Sequence, residues 1–128
     1  MSAISNYLEN ALINVTLRAT AYTAPTTVYV ALFTSDPTDA GSGTECSGTS
    51  YARQSATFAA PSNGASSTNA DVQFPQAGGS WGTITHFGIY DALTTGNLLY
   101  HGALTTSKVI DLGDVFKISS GSLTVTLA

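Results

Sequence analysis

WGTITHFGIYDALTTGNLLYHGAL, residues 81–104, is the clearest strand, turn and strand pattern in the chain. β-Branched and aromatic side chains fill residues 81–90 and LLYHGAL fills 98–104. Between them lies DALTTGN (91–97), the Asp, Thr, Gly and Asn cluster that reverses a chain. The segment predicts a hairpin. Upstream, TTVYVALFT (26–34) lies between Pro25 and Pro37 and reads as a central strand, with Val28, Val30 and Leu32 alternating with Tyr29, Ala31 and Phe33.

The same alternation of strand and breaker extends to both sides. YARQSATFAA (51–60) and ADVQFP (70–75) are strand candidates separated by the turn region PSNGASSTN (61–69), and Gly78-Gly79 closes the second. Downstream come Lys108 to Ile110, a turn at Asp111-Leu112-Gly113-Asp114, then Val115 to Ile118 and Leu123 to Leu127. Seven or eight short strands with frequent turn signals predict a mainly β protein, an antiparallel sandwich or jelly-roll-like domain over 26–128. Only the opening differs. Ile4, Leu8, Ala11, Leu12 and Val15 recur at three and four positions, so an amphipathic helix is expected over about residues 3–18, capped by Ser5 or Ser2. Asn6, Glu9, Asn10 and Asn14 would line its wet face.

At 128 residues this is one domain's worth of chain. Charged residues make up 9%, against about 25% in an average soluble protein, while 43% are hydrophobic, so the chain folds rather than staying disordered. A net charge of −4 lacks the basic footprint that binds a row of phosphates, which argues against a nucleic-acid partner. No apolar run approaches the about 20 residues that span a bilayer, and residues 1–20 lack signal-peptide character. A soluble protein without a membrane partner is expected. The single cysteine, Cys46, has no disulfide partner and reads as an incidental thiol in a flexible glycine-rich loop, residues 35–50.

Several constellations invite a chemical reading. Gly78-Gly79-Ser80-Trp81-Gly82 fits G-x-S-x-G, with Asp91 and His101 following in hydrolase order. Yet a nucleophile elbow needs a helix after the serine, and Ser80 precedes a strand. His86 and His101 fall on the two arms of the hairpin, where a metal would need a third ligand such as Asp91 or Asp111. Asp36, Asp39 and Glu45 could offer oxygens to a cation, but their spacing matches no defined calcium loop. The aromatics Tyr29, Phe33, Tyr51, Phe58, Phe74, Trp81, Phe87, Tyr90 and Tyr100 are expected in the core rather than on a stacking platform. No cofactor fingerprint is present, and no enzyme is expected.

Low charge, a Ser-, Thr- and Ala-rich surface and a helix ahead of a β domain suit a protein that works through broad contacts. Three long stretches, residues 6–45, 50–92 and 96–114, with VALFTSDPTDAG, SYARQ, WGTITHFGIYDA and LLYHGALT among them, resemble a family of small tailed-bacteriophage virion proteins. Members are variously called cement, or capsid-decorating, proteins and tail fibre proteins. The resemblance implies a structural protein at the capsid surface of the virion. It would be an oligomer, with a trimer favoured, bound to the major capsid protein. A tail or fibre component is the second reading. The absence of an internal repeat ranks cement first. Composition places the expected contacts on the helix, at Ile4, Tyr7, Leu8, Ala11 and Leu12, and on the loop carboxylates Asp36, Asp39 and Glu45.

Overall fold

The computed structural model describes residues 2–127. Among these residues, nine strands and one helix follow in the order β1 (Ser2–Ile4), α1 (Asn6–Leu17), β2 (Val28–Phe33), β3 (Gln54–Ala56), β4 (Ala65–Ser67), β5 (Val72–Gln73), β6 (Gly82–Tyr90), β7 (Leu98–Ile110), β8 (Lys117–Ile118) and β9 (Thr124–Thr126). Five strands form one antiparallel sheet in the order β1-β7-β6-β2-β3. β4 with β9 and β5 with β8 form two short antiparallel ribbons. The mainly β, antiparallel architecture with a leading helix is the one expected from the sequence, and its second layer is built from ribbons.

Cross-strand partners share a face, so the register assigns each side chain to a layer. Val30 opposite Ile89 and Leu32 opposite Phe87 put four apolar side chains on one face. Val72, Phe74, Phe116, Ile118 and Leu123, from the ribbons and their flanks, close over that face and complete the main core. Phe74 is held in it by a stacked contact with Tyr51 and an edge contact with Phe116. On the opposite face Ala31 lies across from Gly88, and Phe33 and Ala31 join Tyr90 and Leu98 in a second, smaller cluster. Gly88 is small for a reason. A Cβ there would stand 2.9 Å from Phe33 and 3.0 Å from Leu98, so a side chain would push the cluster apart.

The helix begins later than its apolar period suggests. Residues 3–5 are not helical, because Ser2–Ile4 pairs with Gly102, His101 and Tyr100 on β7 and satisfies its backbone there. Ser5 then caps α1, its side chain accepting from the Leu8 amide at 3.2 Å while its own amide donates to Leu99 O at 2.9 Å. At the far end Arg18 closes the helix and Ala19 turns left-handed at φ 54°.

Other boundaries move for local reasons. Of residues 51–60 only Gln54–Ala56 is strand. The 61–69 turn region contains a tight reversal at Asn63-Gly64, both at positive φ, and this frees Ala65–Ser67 to form β4. Residues 98–104 and 108–110 belong to one 13-residue strand. In it Leu104 to Ser107 bulge out against Thr85 alone, between the pairs His86–Ala103 and Ile84–Lys108.

The 35–50 segment also departs from a flexible exposed loop. Pro37 and Cys46 are buried, Cys46 N donates to Leu32 O at 2.8 Å, and Thr34 N donates to Thr44 O at 3.0 Å. Cys46 therefore packs as a small apolar side chain in the main core. No helix among the described residues is long and apolar enough to cross a membrane.

Because Phe74 touches both layers, Phe74→Ala removes a ring that nothing else can replace. Its unfolding free energy in urea should fall by about 3–5 kcal/mol with the m-value unchanged.

Candidate functional site

The helix start, the 34–45 loop and the 91–97 turn meet above the smaller cluster. Two buried polar side chains hold them there. The first is Arg53, 8% exposed. Its Nε and Nη2 donate to Glu45 Oε2 and Oε1, each at 2.9 Å, in a bidentate pair. Its Nη1 donates to Ala92 O at 3.0 Å and Thr95 O at 2.8 Å. The guanidinium plane lies 3.8 Å from the centre of the Tyr90 ring. One side chain thereby ties the loop to the hairpin turn.

Tyr51 extends this network. Its hydroxyl donates to Glu45 Oε2 at 2.7 Å and accepts from Leu32 N at 3.0 Å. Burial, and then the bond to the Glu45 carboxylate, push the phenol far above its ordinary range. Burial also raises the Cys46 thiol and the Tyr90 and Tyr100 phenols.

The second buried group is His101. Its Nε2 pairs with Asp39 Oδ1 at 2.8 Å, and its Nδ1 lies 3.9 Å from Asp36 Oδ1. Asp39 O in turn accepts from Asn6 N at 2.9 Å, so the loop and the helix start share one anchor on β7. A polar cavity of about 380 Å³ remains between them, lined by Asn6, Tyr7, Asp39, Arg53, Asn97 and Leu98 among others.

The structure places each expected contact residue as follows. Asp36 and Asp39 come together around His101, and Glu45 joins Arg53. Tyr7 is exposed, Ala11 and Leu12 are half-buried, Ile4 sits half-buried in β1, and Leu8 is buried beneath the helix. Two large exposed apolar side chains of α1, Ile13 and Leu17, are ones the periodicity did not select. Ile13 is 53% exposed and Leu17 79%, with Val15 also exposed. Arg53 was not legible as the partner of Glu45, although only eight residues separate them, nor Tyr90 as the ring beneath the guanidinium, because both contacts depend on how the loop and β6 fold toward each other.

The chemical constellations do not assemble. Ser80 accepts from Gly82 N, and His101 is engaged with Asp39. Gly88, the cross-strand partner of His101, lies eight residues beyond Ser80, which is roughly 25 Å along a strand. Asp91, at the other end of β6 from Ser80, accepts from the Asn97 amide at 2.7 Å and shapes the turn. His86 lies across from Ala103 and bonds Thr85. Among the described residues no group of three His, Cys, Asp or Glu could hold a metal.

What the geometry presents is a rigidly anchored surface of helix, loop and turn. A protein-family model described as "Podophage GP4 fiber I protein gp80" matches residues 3–126. The chain belongs to this phage fibre family. The match covers the helix, the sheet and both ribbons, in agreement with the resemblance to tailed-phage virion proteins. No curated protein matches the chain. The protein is a structural phage protein, a component of the virion.

Arg53→Ala leaves Glu45, Ala92 O and Thr95 O without their donor. The expected loss is about 3–5 kcal/mol of unfolding free energy, and Arg53→Lys should recover little because an ammonium cannot make the bidentate pair or cover the ring. A second expectation concerns pH. Groups whose folded pKa is raised bind protons more tightly when folded, so their stabilising contribution is complete below the unfolded value and is lost above it. For Cys46 that decline begins above about pH 8.5 and for Tyr51 above about pH 10. Thermal melts should therefore stay level near neutrality and fall through the alkaline range, and less steeply in a Tyr51→Phe, Cys46→Ala variant.

Proposed function

We propose that this protein is a fibre or tail component of a podophage-type particle, a small rigid subunit that works by binding other virion proteins. The observation that carries the reading is the fibre-family match along residues 3–126. The structure supports it in two ways. The domain is braced by a buried Arg53 paired with the half-buried Glu45 and by a two-sided core, as suits a part that transmits load without deforming. It also leaves the second half of α1 apolar and uncovered, with Ile13, Val15 and Leu17 in solvent. Ile13 and Leu17, four residues apart, share one face of the helix, and that face gains by docking against a partner.

The capsid-cement reading, in which the protein bridges major capsid subunits at the shell surface as a trimer, stands second. A fibre subunit and a cement subunit differ in copy number and position. Quantitative densitometry of purified virions should give far less than one copy per major capsid subunit, and gold-labelled antibody should mark the tail. A ratio of one to one, or a simple fraction of it, with label over the shell would replace the fibre reading by the cement one. In either setting Leu17→Ser should lower incorporation into particles about tenfold or more while leaving the melting temperature unchanged, since the side chain is exposed in the free protein.

A further inference from the structure

A groove of about 940 Å³ runs beside the far end of β7, against the segment that carries β8 and β9. Its apolar lining includes Phe87, Ile110, Phe116, Ile118 and Leu123. Among the described residues its charged lining is Lys108 and Lys117, with no carboxylate. That is unusual in a chain with eight acidic residues against four basic ones. Lys117 stands 3.9 Å from Asp71. Lys108 has no carboxylate within salt-bridge distance among the described residues.

Next to this groove the chain projects a knob of opposite character. The turn at residues 111–114 leads from β7 to Val115, which itself lines the groove. Leu112 at its tip is 72% exposed, and Val109 and Val115 are exposed beside it. Asp111 and Asp114 flank the leucine. The turn is braced from behind: Gly113 N donates to Ala77 O and Ala77 N to Asp114 O, both at 2.8 Å, and Gln76 Nε2 donates to Gly113 O at 3.0 Å. A leucine held this firmly in water loses little freedom when it is buried.

We propose that the 111–114 knob of one copy seats in the groove of a second copy, with Leu112 against the apolar floor and Asp111 and Asp114 toward Lys108 and Lys117. Charge selects the occupant. Two copies at −4 repel overall, yet here a locally positive groove faces a locally negative knob, and salt screens that attraction. Knob and groove adjoin, so every copy offers both halves of the contact, and copies join as a pair or ring where the symmetry closes and as an open chain where it does not. The hydroxyls of Thr105, Thr106, Ser119 and Ser122 supply the polar rim such an interface needs. The inference goes beyond the fibre reading and stands without it.

Light scattering coupled to gel filtration on the full chain tests it, with circular dichroism confirming the fold of each variant. Wild type should run at a multiple of 13.1 kDa. Leu112→Ser, Lys108→Glu and Asp111→Lys should each weaken self-association about tenfold or more and run at monomer mass. Asp111 is suited to this because its side chain makes no hydrogen bond among the described residues. The double variant Lys108→Glu, Asp111→Lys should regain the assembly, because the swap restores opposite charges. A monomeric wild type at high micromolar concentration would overturn the proposal. An assembly that survives Leu112→Ser would do so equally, by placing the contact elsewhere, and so would failure of the charge swap to rescue.

Discussion

The guanidinium of Arg53 is buried in a protein that has few charges, and everything around it is arranged to satisfy it. Glu45 supplies two acceptors, the 91–97 turn supplies two carbonyls, and the Tyr90 ring covers the plane. Burying such a group without those partners would cost several kcal/mol, so the loop, the turn and β6 must come to one geometry together. The Glu45 end then fixes Tyr51, whose hydroxyl meets β2 at Leu32 and whose ring packs on Phe74 and Trp81. One ion pair thus links the smaller cluster on one face of the sheet to the main core on the other.

This arrangement explains why a long glycine-rich stretch is ordered. Residues 35–50 have no large apolar side chain, and in isolation they would have little to hold them. Their anchors are polar and come from elsewhere: Arg53 for Glu45, His101 for Asp39, and the Leu32 carbonyl for the Cys46 amide. The acidic residues of this loop therefore bind the protein to itself first. What they leave for partners is the shape they impose, a fixed surface of helix start, loop and hairpin turn. Charge is scarce elsewhere, and the exposed apolar side chains fall in two notable places, the second half of α1 and the 109–115 segment. A virion subunit gains from that division, since apolar contacts such as those α1 offers depend little on ionic strength while the scaffold beneath them stays rigid.

Local patterns carried much of the architecture. The turn-forming cluster at 91–97 between two strand-like runs is enough to make β6 and β7 antiparallel neighbours, and the alternation in residues 26–34 marks β2 as a strand, because side-chain period and turn chemistry are local properties, whereas the fold decided that β2 lies beside β6. The same holds for the amphipathic helix after Ser5 and for Phe33, Phe74, Trp81, Phe87 and Tyr90, which are buried as expected, whereas Tyr29 is half-buried and outside both core clusters. The resemblance of long, idiosyncratic stretches carried the phage virion assignment, which agrees with the fibre-family match over residues 3–126.

Tertiary structure decided what depends on distant partners. Residues 2–4 became strand because β7 offered an open edge, which the helical period of Ile4 and Leu8 could not reveal. Cys46 was buried because the loop is pulled across the core by Arg53 and Leu32, although its glycine and serine neighbours suggest exposure. Ser80, Asp91 and His101 were kept apart because β6 is extended, so a chain order that suggests a triad becomes a separation along a strand. The pairing of Lys108 and Lys117 in one groove likewise arises from β7 and β8 meeting in space. Sequence determined which segments extend, turn or coil, since those preferences act between near neighbours. Only the folded chain determined which polar groups meet, since contacts such as His101 with Asp39 and Arg53 with the 91–97 turn join distant residues, and even Glu45 with Arg53, eight residues apart, depends on the path of the loop.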